Sequence, residues 1–207
     1  MNNVPSVQPT QLLFNRTRYT RWLAAIVVPT VAIIAPPHRQ PWVGDLLETA
    51  GVMCLVICLV GRGWSSIFIA GRKDIELVTT GPYSVVRNPL YVFSFIGVIG
   101  IGLISEMMTL LAIAIVTFMA YYSFVVQREE LYVARLHGDE YQQYLVSVPR
   151  WIPDFSKWQD ADLVEVQPKR ILKHLVDSSL FFLSFAFFEI LEFLRDTDIL
   201  LPVLILP

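Results

Sequence analysis

Two short segments concentrate the side chains able to do chemistry in this 207-residue sequence. The first, residues 74–91, reads Asp-Ile-Glu-Leu-Val-Thr-Thr-Gly-Pro-Tyr-Ser-Val-Val-Arg-Asn-Pro-Leu-Tyr. Gly81 allows a backbone geometry or close approach that a side chain would block, and Pro82 fixes φ. Pro89 suits the first turn of a helix, because the amide it lacks would be unpaired there, and Asn88 is then placed as the N-cap. The second segment, residues 127–144, holds the adjacent acids Glu129 and Glu130 among Arg128, Tyr132, Arg135, His137, Tyr141 and Tyr144. Helical spacing sets Glu130 and Ala134 on one stripe, and Glu129, Tyr132 and Leu136 on another. A carboxylate turned into a helical bundle is costly without a cation or hydroxyl partner. The pair therefore reads either as a site or as part of a solvated surface helix held by i,i+4 contacts. The first segment has the same two readings, a ligand-contacting loop or only a capped helix start.

Other chemistry is poorly represented. No phosphate-binding glycine loop is present, and the glycines of the run Gly97-Val-Ile-Gly100-Ile-Gly102 lie in an apolar stretch where close helix packing is their expected role. His38, His137 and His174 are scattered without zinc spacing, so no metal site is expected. Cys54 and Cys58 share one helix face inside an apolar run and read as packing residues, not a disulfide framework.

The elements that must position these segments are membrane helices. Hydrophobic residues make up 55% of the chain and charged ones 16%, and the mean hydropathy of +0.54 lies outside the range of soluble domains. Apolar runs cover residues 19–35, 42–69, 90–104 and 107–126. In the second, the membrane portion is expected at 46–61, with Arg62 snorkelling to the near interface. Only Ser105 and Glu106 separate the third run from the fourth, which predicts a tight antiparallel hairpin. The hairpin brings Asn88–Tyr91 to the same membrane face as Arg128–Tyr132, so two motifs become one candidate site. Arg16, Arg18 and Arg21 precede the first run, Arg62, Arg72, Lys73 and Arg87 follow the second, and Arg128, Arg135, Arg150 and Lys157 follow the fourth. All fall on one side if the N-terminus is cytoplasmic. Residues 2–10 are polar and proline-bearing, unlike a cleavable signal peptide, and insertion is expected through the spans themselves.

The expected fold is an all-α integral membrane protein with four transmembrane helices and a C-terminal hydrophobic helix, residues 171–194, that is a candidate fifth span. Glu189 and Glu192 near its end leave an interfacial helix as the other reading. The chain divides into spans one and two (1–73), a core with the hairpin and the segment after it (74–153), and a C-terminal linker and helix (154–207). The net charge of −2 points to no nucleic-acid partner.

At the two chemical segments the chain resembles the isoprenylcysteine carboxyl methyltransferase family and the related membrane phospholipid methyltransferases. The carriers are Leu77-Val78-Thr79-x-Gly81-x-Tyr83, Arg87-Asn88-Pro89-x-Tyr91, Glu129-Glu130, Gly138-x-x-Tyr141-x-x-Tyr144, Val148-Pro149 and Ile152-Pro153. The resemblance implies a methyltransferase using S-adenosylmethionine in a cytoplasm-facing pocket, with a lipid or lipidated small-molecule acceptor arriving from the bilayer. On the matching positions, Ile75, Glu76, Leu77, Val78, Tyr83, Asn88, Pro89, Leu90, Tyr91 and Glu129 would hold the cofactor. Arg87, Arg128 and Glu130 are the residues assigned to catalysis. The prenylcysteine enzymes carry His at the positions of Asn88 and Ile75, and an acceptor-binding Arg where this chain has Val125. Arg87 or Arg128 could substitute, while Asn-Pro-x-Tyr is closer to the phospholipid N-methyltransferases, so a prenylcysteine-type carboxylate and a phospholipid amine both stand as acceptors. The alternative function is a non-catalytic membrane scaffold or sensor keeping the methyltransferase fold. Residues 167–207, beyond the resemblance, would be a lid, a lateral gate wall or a homodimer contact. The host membrane is read as a bacterial inner membrane or an endoplasmic reticulum.

Overall fold

The computed structural model describes residues 34–36, 40–72, 75–200 and 204–205. The first expected span therefore lies outside the described residues, except for its end. There Ile34–Ala35 (β1) is extended instead of helical and pairs in parallel with Leu204–Ile205 (β2). Everything else that matters is helical: α1 Pro41–Ile69, the short α2 Pro82–Val85, α3 Pro89–Ile104, α4 Met108–Ser147 and α5 Pro168–Asp196. A 3-10 turn, Phe155–Lys157, interrupts the segment between α4 and α5. Proline occupies the first turn of α1, α2, α3 and α5, where its missing amide costs nothing.

Among the described residues, three helices, α1, α4 and α5, are long and apolar enough to cross a membrane, and α3 is a shorter apolar helix of 16 residues. At 1.5 Å per residue α3 spans about 24 Å, less than a full hydrocarbon core, whereas α5 is long enough. The outward faces are apolar: Val60 of α1 is 64% exposed and Val116 of α4 68%. A soluble monomer would not leave such continuous apolar surface in water, and the protein is an integral membrane protein.

Helices α3 and α4 form the expected hairpin. Its turn is closed by Ser105, whose hydroxyl donates to the Gly102 carbonyl at 2.7 Å and accepts from the Met107 amide at 3.3 Å, while Glu106 adopts φ +56°. Helix α4 does not stop at residue 126 but continues to Ser147, bending at Gly138 (φ +53°). The glycines do pack helices: a Cβ on Gly100 would stand 2.8 Å from the Gly51 carbonyl of α1, and one on Gly97 would stand 2.6 Å from Cys58 Sγ. Dispersion between closely approaching backbones is a main source of helix association in lipid.

Arg62 does not snorkel. Its Nε donates to Ser178 Oγ of α5 at 2.8 Å, its Nη1 donates to Ser94 Oγ of α3, and its guanidinium lies 5.9 Å from the centre of the Phe181 ring. Turned inward, the cation exchanges hydration for two hydroxyls and a ring face, and it ties α5 to α1 and α3.

Candidate active site

A cavity of about 220 Å³ opens where α1 ends, α3 begins and α4 leaves the membrane. Its walls come from five places: Ile69–Gly71, Glu76–Val78, Tyr83 with Arg87–Tyr91, the α4 stripe from Glu129 to Tyr144, and Arg170 with His174 of α5.

The loop that carries Tyr83 is fixed by a strap formed after α4. Gly81 takes φ +59° and packs so closely on the Phe68 ring that no side chain fits. Its amide donates to the Gln159 carbonyl at 2.7 Å, the Arg87 amide to Pro149 at 2.9 Å, and the Asp154 amide to Val85 at 2.9 Å. Trp158 stacks on Trp64 of α1 with ring centres 5.4 Å apart. From below, the Tyr144 hydroxyl donates to the Tyr83 carbonyl at 2.7 Å. The bend at Gly138 lets the last turns of α4 bring Tyr141 and Tyr144 inward, where both are buried. Burial pushes the phenol of Tyr83 up, with Tyr144, Glu129 and Tyr91 adding to it, and burial likewise raises Tyr144. Tyr141 is pushed up to about 12 by burial and then by Glu130, against the opposing pull of Arg87 and Arg150. All three are neutral hydrogen-bonding groups at physiological pH.

Glu130 is the buried carboxylate of the site, with a side chain only 10% exposed. Arg150 grips it with a fork: Nη2 to Oε2 at 2.6 Å and Nε to Oε1 at 3.1 Å. Arg87 approaches Oε1 with Nη1 at 3.5 Å, and Asn88 Nδ2 donates to the same oxygen at 3.4 Å. Asn88 thus stands at the N-cap position of α3 but makes no side-chain cap; its amide group is spent on Glu130 and, at 3.5 Å, on the Arg150 carbonyl. The sequence argument that a buried acid here needs a cation is met by Arg150, which sequence reasoning counted only as a cytoplasmic charge.

Of the ten residues expected to hold a cofactor, all but Ile75 line the cavity; Ile75 is 76% exposed and outside it. Glu76 is committed to an exposed ion pair with Arg72, which holds its carboxyl below the usual range. Glu129 and Glu130, assigned to different helical stripes, both reach the cavity wall. Arg87 and Glu130 line it too, whereas Arg128 stands outside with its guanidinium over the Phe124 ring, 4.4 Å from its centre. Sequence reasoning missed Arg170 and His174, for which no local motif gave a signal. Among the described residues, no group of three or more His, Cys, Asp or Glu is placed to hold a metal ion.

Comparison with known proteins bears on what this cavity serves. Residues 43–140 match the model of the phospholipid methyltransferase family. The chain is 33% identical over 178 residues to the nickel-cobalt-cadmium resistance protein NccN of Alcaligenes xylosoxydans xylosoxydans, covering 84% of this chain and 83% of that one. It is 30% identical over 165 residues to the cobalt-zinc-cadmium resistance protein CzcN of Cupriavidus metallidurans, covering 80% and 76%. Over 95 residues it is 37% identical to the protein-S-isoprenylcysteine O-methyltransferase of Schizosaccharomyces pombe, covering 45% of this chain and 40% of that enzyme. The chain belongs to the isoprenylcysteine carboxyl methyltransferase and phospholipid methyltransferase family. No solved structure matches it. Within this family, the matched region holds α1, α3 and the part of α4 that carries Glu129 and Glu130, while the strap and α5 fall outside it.

Proposed function

We propose that the protein is an S-adenosylmethionine-dependent methyltransferase whose acceptor is lipidic, either a prenylcysteine-type carboxylate or a phospholipid amine. The observation that carries this reading is the gathering of Glu76, Leu77, Val78, Tyr83, Asn88–Tyr91 and Glu129 around one cavity. The chemistry of the wall suits the cofactor: tyrosine rings for the adenine or the sulfonium, a carboxylate for the ribose hydroxyls or the amino group, and a buried guanidinium atom, Arg87 Nε, with no hydrogen-bond partner among the described residues. When bound, the cofactor supplies an activated methyl group on a sulfonium. The chain's own residues then bind and orient: Glu129 holds the polar end, Tyr83 and Tyr91 present ring surface, and the strap holds the loop that carries Tyr83.

Of the residues assigned to catalysis, Glu130 is occupied by Arg150 and acts by fixing the wall, Arg128 is directed away, and Arg87 lines the cavity with only one long contact to Glu130. The acceptor enters from the bilayer beside α5, whose Arg170 and His174 reach the cavity rim. The cavity face and the N-terminus are cytoplasmic by the distribution of Lys and Arg.

The test is equilibrium binding of S-adenosylmethionine and S-adenosylhomocysteine to the protein in nanodiscs, with Glu129→Gln alongside. Saturable binding weakened at least about tenfold in the variant, or roughly 1.4 kcal/mol, is expected, followed by radiolabelled methyl transfer to prenylcysteine and phospholipid acceptors. Absence of binding to folded protein would overturn the reading; binding without transfer to any lipid would favour the scaffold or sensor alternative.

A further inference from the structure

Around Glu130, at the edge of the cavity, two cations compete for one carboxylate. Arg87 and Arg150 are two guanidinium groups sharing one carboxylate, Glu130. Arg150 takes the larger share through both of its fork contacts, at 2.6 and 3.1 Å, and Asn88 adds a third donor to Oε1. Arg87 is left with a single long contact of 3.5 Å, although its side chain is only 12% exposed. Its Nε is buried and has no hydrogen-bond partner among the described residues. A guanidinium carries five donors in a rigid plane matched to an oxyanion, and burying one with donors unspent is costly unless a second acceptor joins it.

We infer that Arg87 forms an oxyanion subsite of the cavity, and that its ligand is the α-carboxylate of the cofactor's amino-acid end. The inference rests on the reading of the cavity as an S-adenosylmethionine site and adds to it the residue that selects the amino-acid end. An α-amino acid is a zwitterion and needs an acceptor and a cation in one place. Glu129 and Arg87 line the same cavity and supply the two. The other guanidinium groups near the wall suit the task less well. Arg72 is paired with Glu76, and Arg170 is exposed, where a charge pair contributes little. Arg150 is a positioning residue here: by contacting both Glu130 oxygens it leaves Arg87 only a single long contact with that carboxylate.

The two probes are S-adenosylhomocysteine and 5′-methylthioadenosine, which shares the nucleoside and thioether but lacks the amino-acid group. Affinities are measured by equilibrium binding to the full-length protein in nanodiscs for wild type, Arg87→Gln and Arg87→Lys. Glu130 keeps Arg150 in both variants, so neither creates an unpaired buried carboxylate. Arg87→Gln is expected to weaken S-adenosylhomocysteine at least tenfold and leave 5′-methylthioadenosine within twofold, with Arg87→Lys between wild type and Gln for the first probe. If Arg87→Gln does not fold, the selective loss must still appear in Arg87→Lys. Equal losses for both probes, or unchanged S-adenosylhomocysteine affinity, overturn the subsite; the latter combined with a raised KM for an anionic acceptor assigns Arg87 to the acceptor instead. Wild-type protein that binds neither probe overturns the cofactor reading itself, a result distinct from either of these.

Discussion

Replacing Glu130 with Gln removes the one charge that lets two arginines approach each other at the base of the cavity. Gln keeps the size of the side chain and can still accept from Asn88, so the loss is electrostatic and not a cavity effect. Removing one member of a fully buried ion pair costs about 3–5 kcal/mol, because the remaining charge is left uncompensated. Arg87 is that kind of residue at 12% side-chain exposure, but Arg150 is 38% exposed and regains water, so about 2–4 kcal/mol is expected. Arg150→Gln is milder, about 1–2 kcal/mol, because Glu130 retains Arg87 and Asn88. The double variant should fall short of the summed single effects by at least about 1 kcal/mol, as expected for groups in one network. Reversible unfolding in mixed micelles, followed by tryptophan emission, measures this directly, since the stacked Trp64 and Trp158 report on the strap that carries Arg150. An effect of Glu130→Gln below about 0.5 kcal/mol, or strict additivity, would refute the assignment of Glu130 as the electrostatic anchor.

Three further outcomes are expected. Gly81→Ala should cost more than Gly138→Ala in the same unfolding assay: both sit at positive φ, worth about 1–2 kcal/mol each, but only at Gly81 does the new Cβ also meet the Phe68 ring, whereas around Gly138 nothing lies within 4 Å. Tyr144→Phe should destabilise by about 1–2 kcal/mol by leaving the buried Tyr83 carbonyl without its donor. Because the folded pKa of Tyr141 is raised from the usual value near 10 to about 12, and that of Tyr144 is raised too, their contribution is complete below about pH 10 and is lost as pH rises through the folded values; a stability profile that declines well below pH 10 would have another cause. Arg62→Met should cost about 1–3 kcal/mol and speed hydrogen exchange in α5 more than in the α3–α4 hairpin, since Ser94 and Ser178 keep their own backbone acceptors while the tie between helices is gone.

Much of the hairpin and the first half of the site was legible because the signals are local. Pro89 marks the start of α3, two residues between apolar runs force a turn, and Gly97 and Gly100 face partners that a side chain would displace. What sequence periodicity could not show is where a helix bends. At 100° per residue Tyr141 and Tyr144 share the face of Glu130, and the positive φ of Gly138 sets the direction in which that last stretch of α4 runs along the wall. Long-range polar choices were equally hidden. Asn88 has the right type and place for a cap, yet Glu130 competes for its side chain through a contact 42 residues away, and a charge-assisted bond to a buried carboxylate outweighs one to a solvated amide. Arg62, on apolar spacing alone, should reach for the interface; two serines and a phenylalanine on helices far away in sequence offer it a partner inside.

The division of labour in the cavity follows from the same geometry. On the proposed reading the Gly-Pro-Tyr, Asn-Pro-x-Tyr and Glu-Glu segments build the cofactor side, and the loop from Gly81 to Arg87 depends on backbone bonds to the strap at Pro149, Asp154 and Gln159. The family match ends at residue 140, so it contains neither the strap nor Arg150, Tyr141, Tyr144, Arg170 and His174. Taken alone, the matched region would leave Glu130 without its principal cation and the cavity open toward α5. On the proposed reading, the acceptor side is built by the part of the chain with the least recognisable pattern. That follows from the chemistry: the nucleoside and amino-acid groups are fixed and demand the same donors and acceptors in every member that binds them, whereas a lipid acceptor demands an apolar path and one polar contact. Helix α5 has the features for both, with apolar residues along its length and Arg170 and His174 at its cavity end, held in place by Arg62.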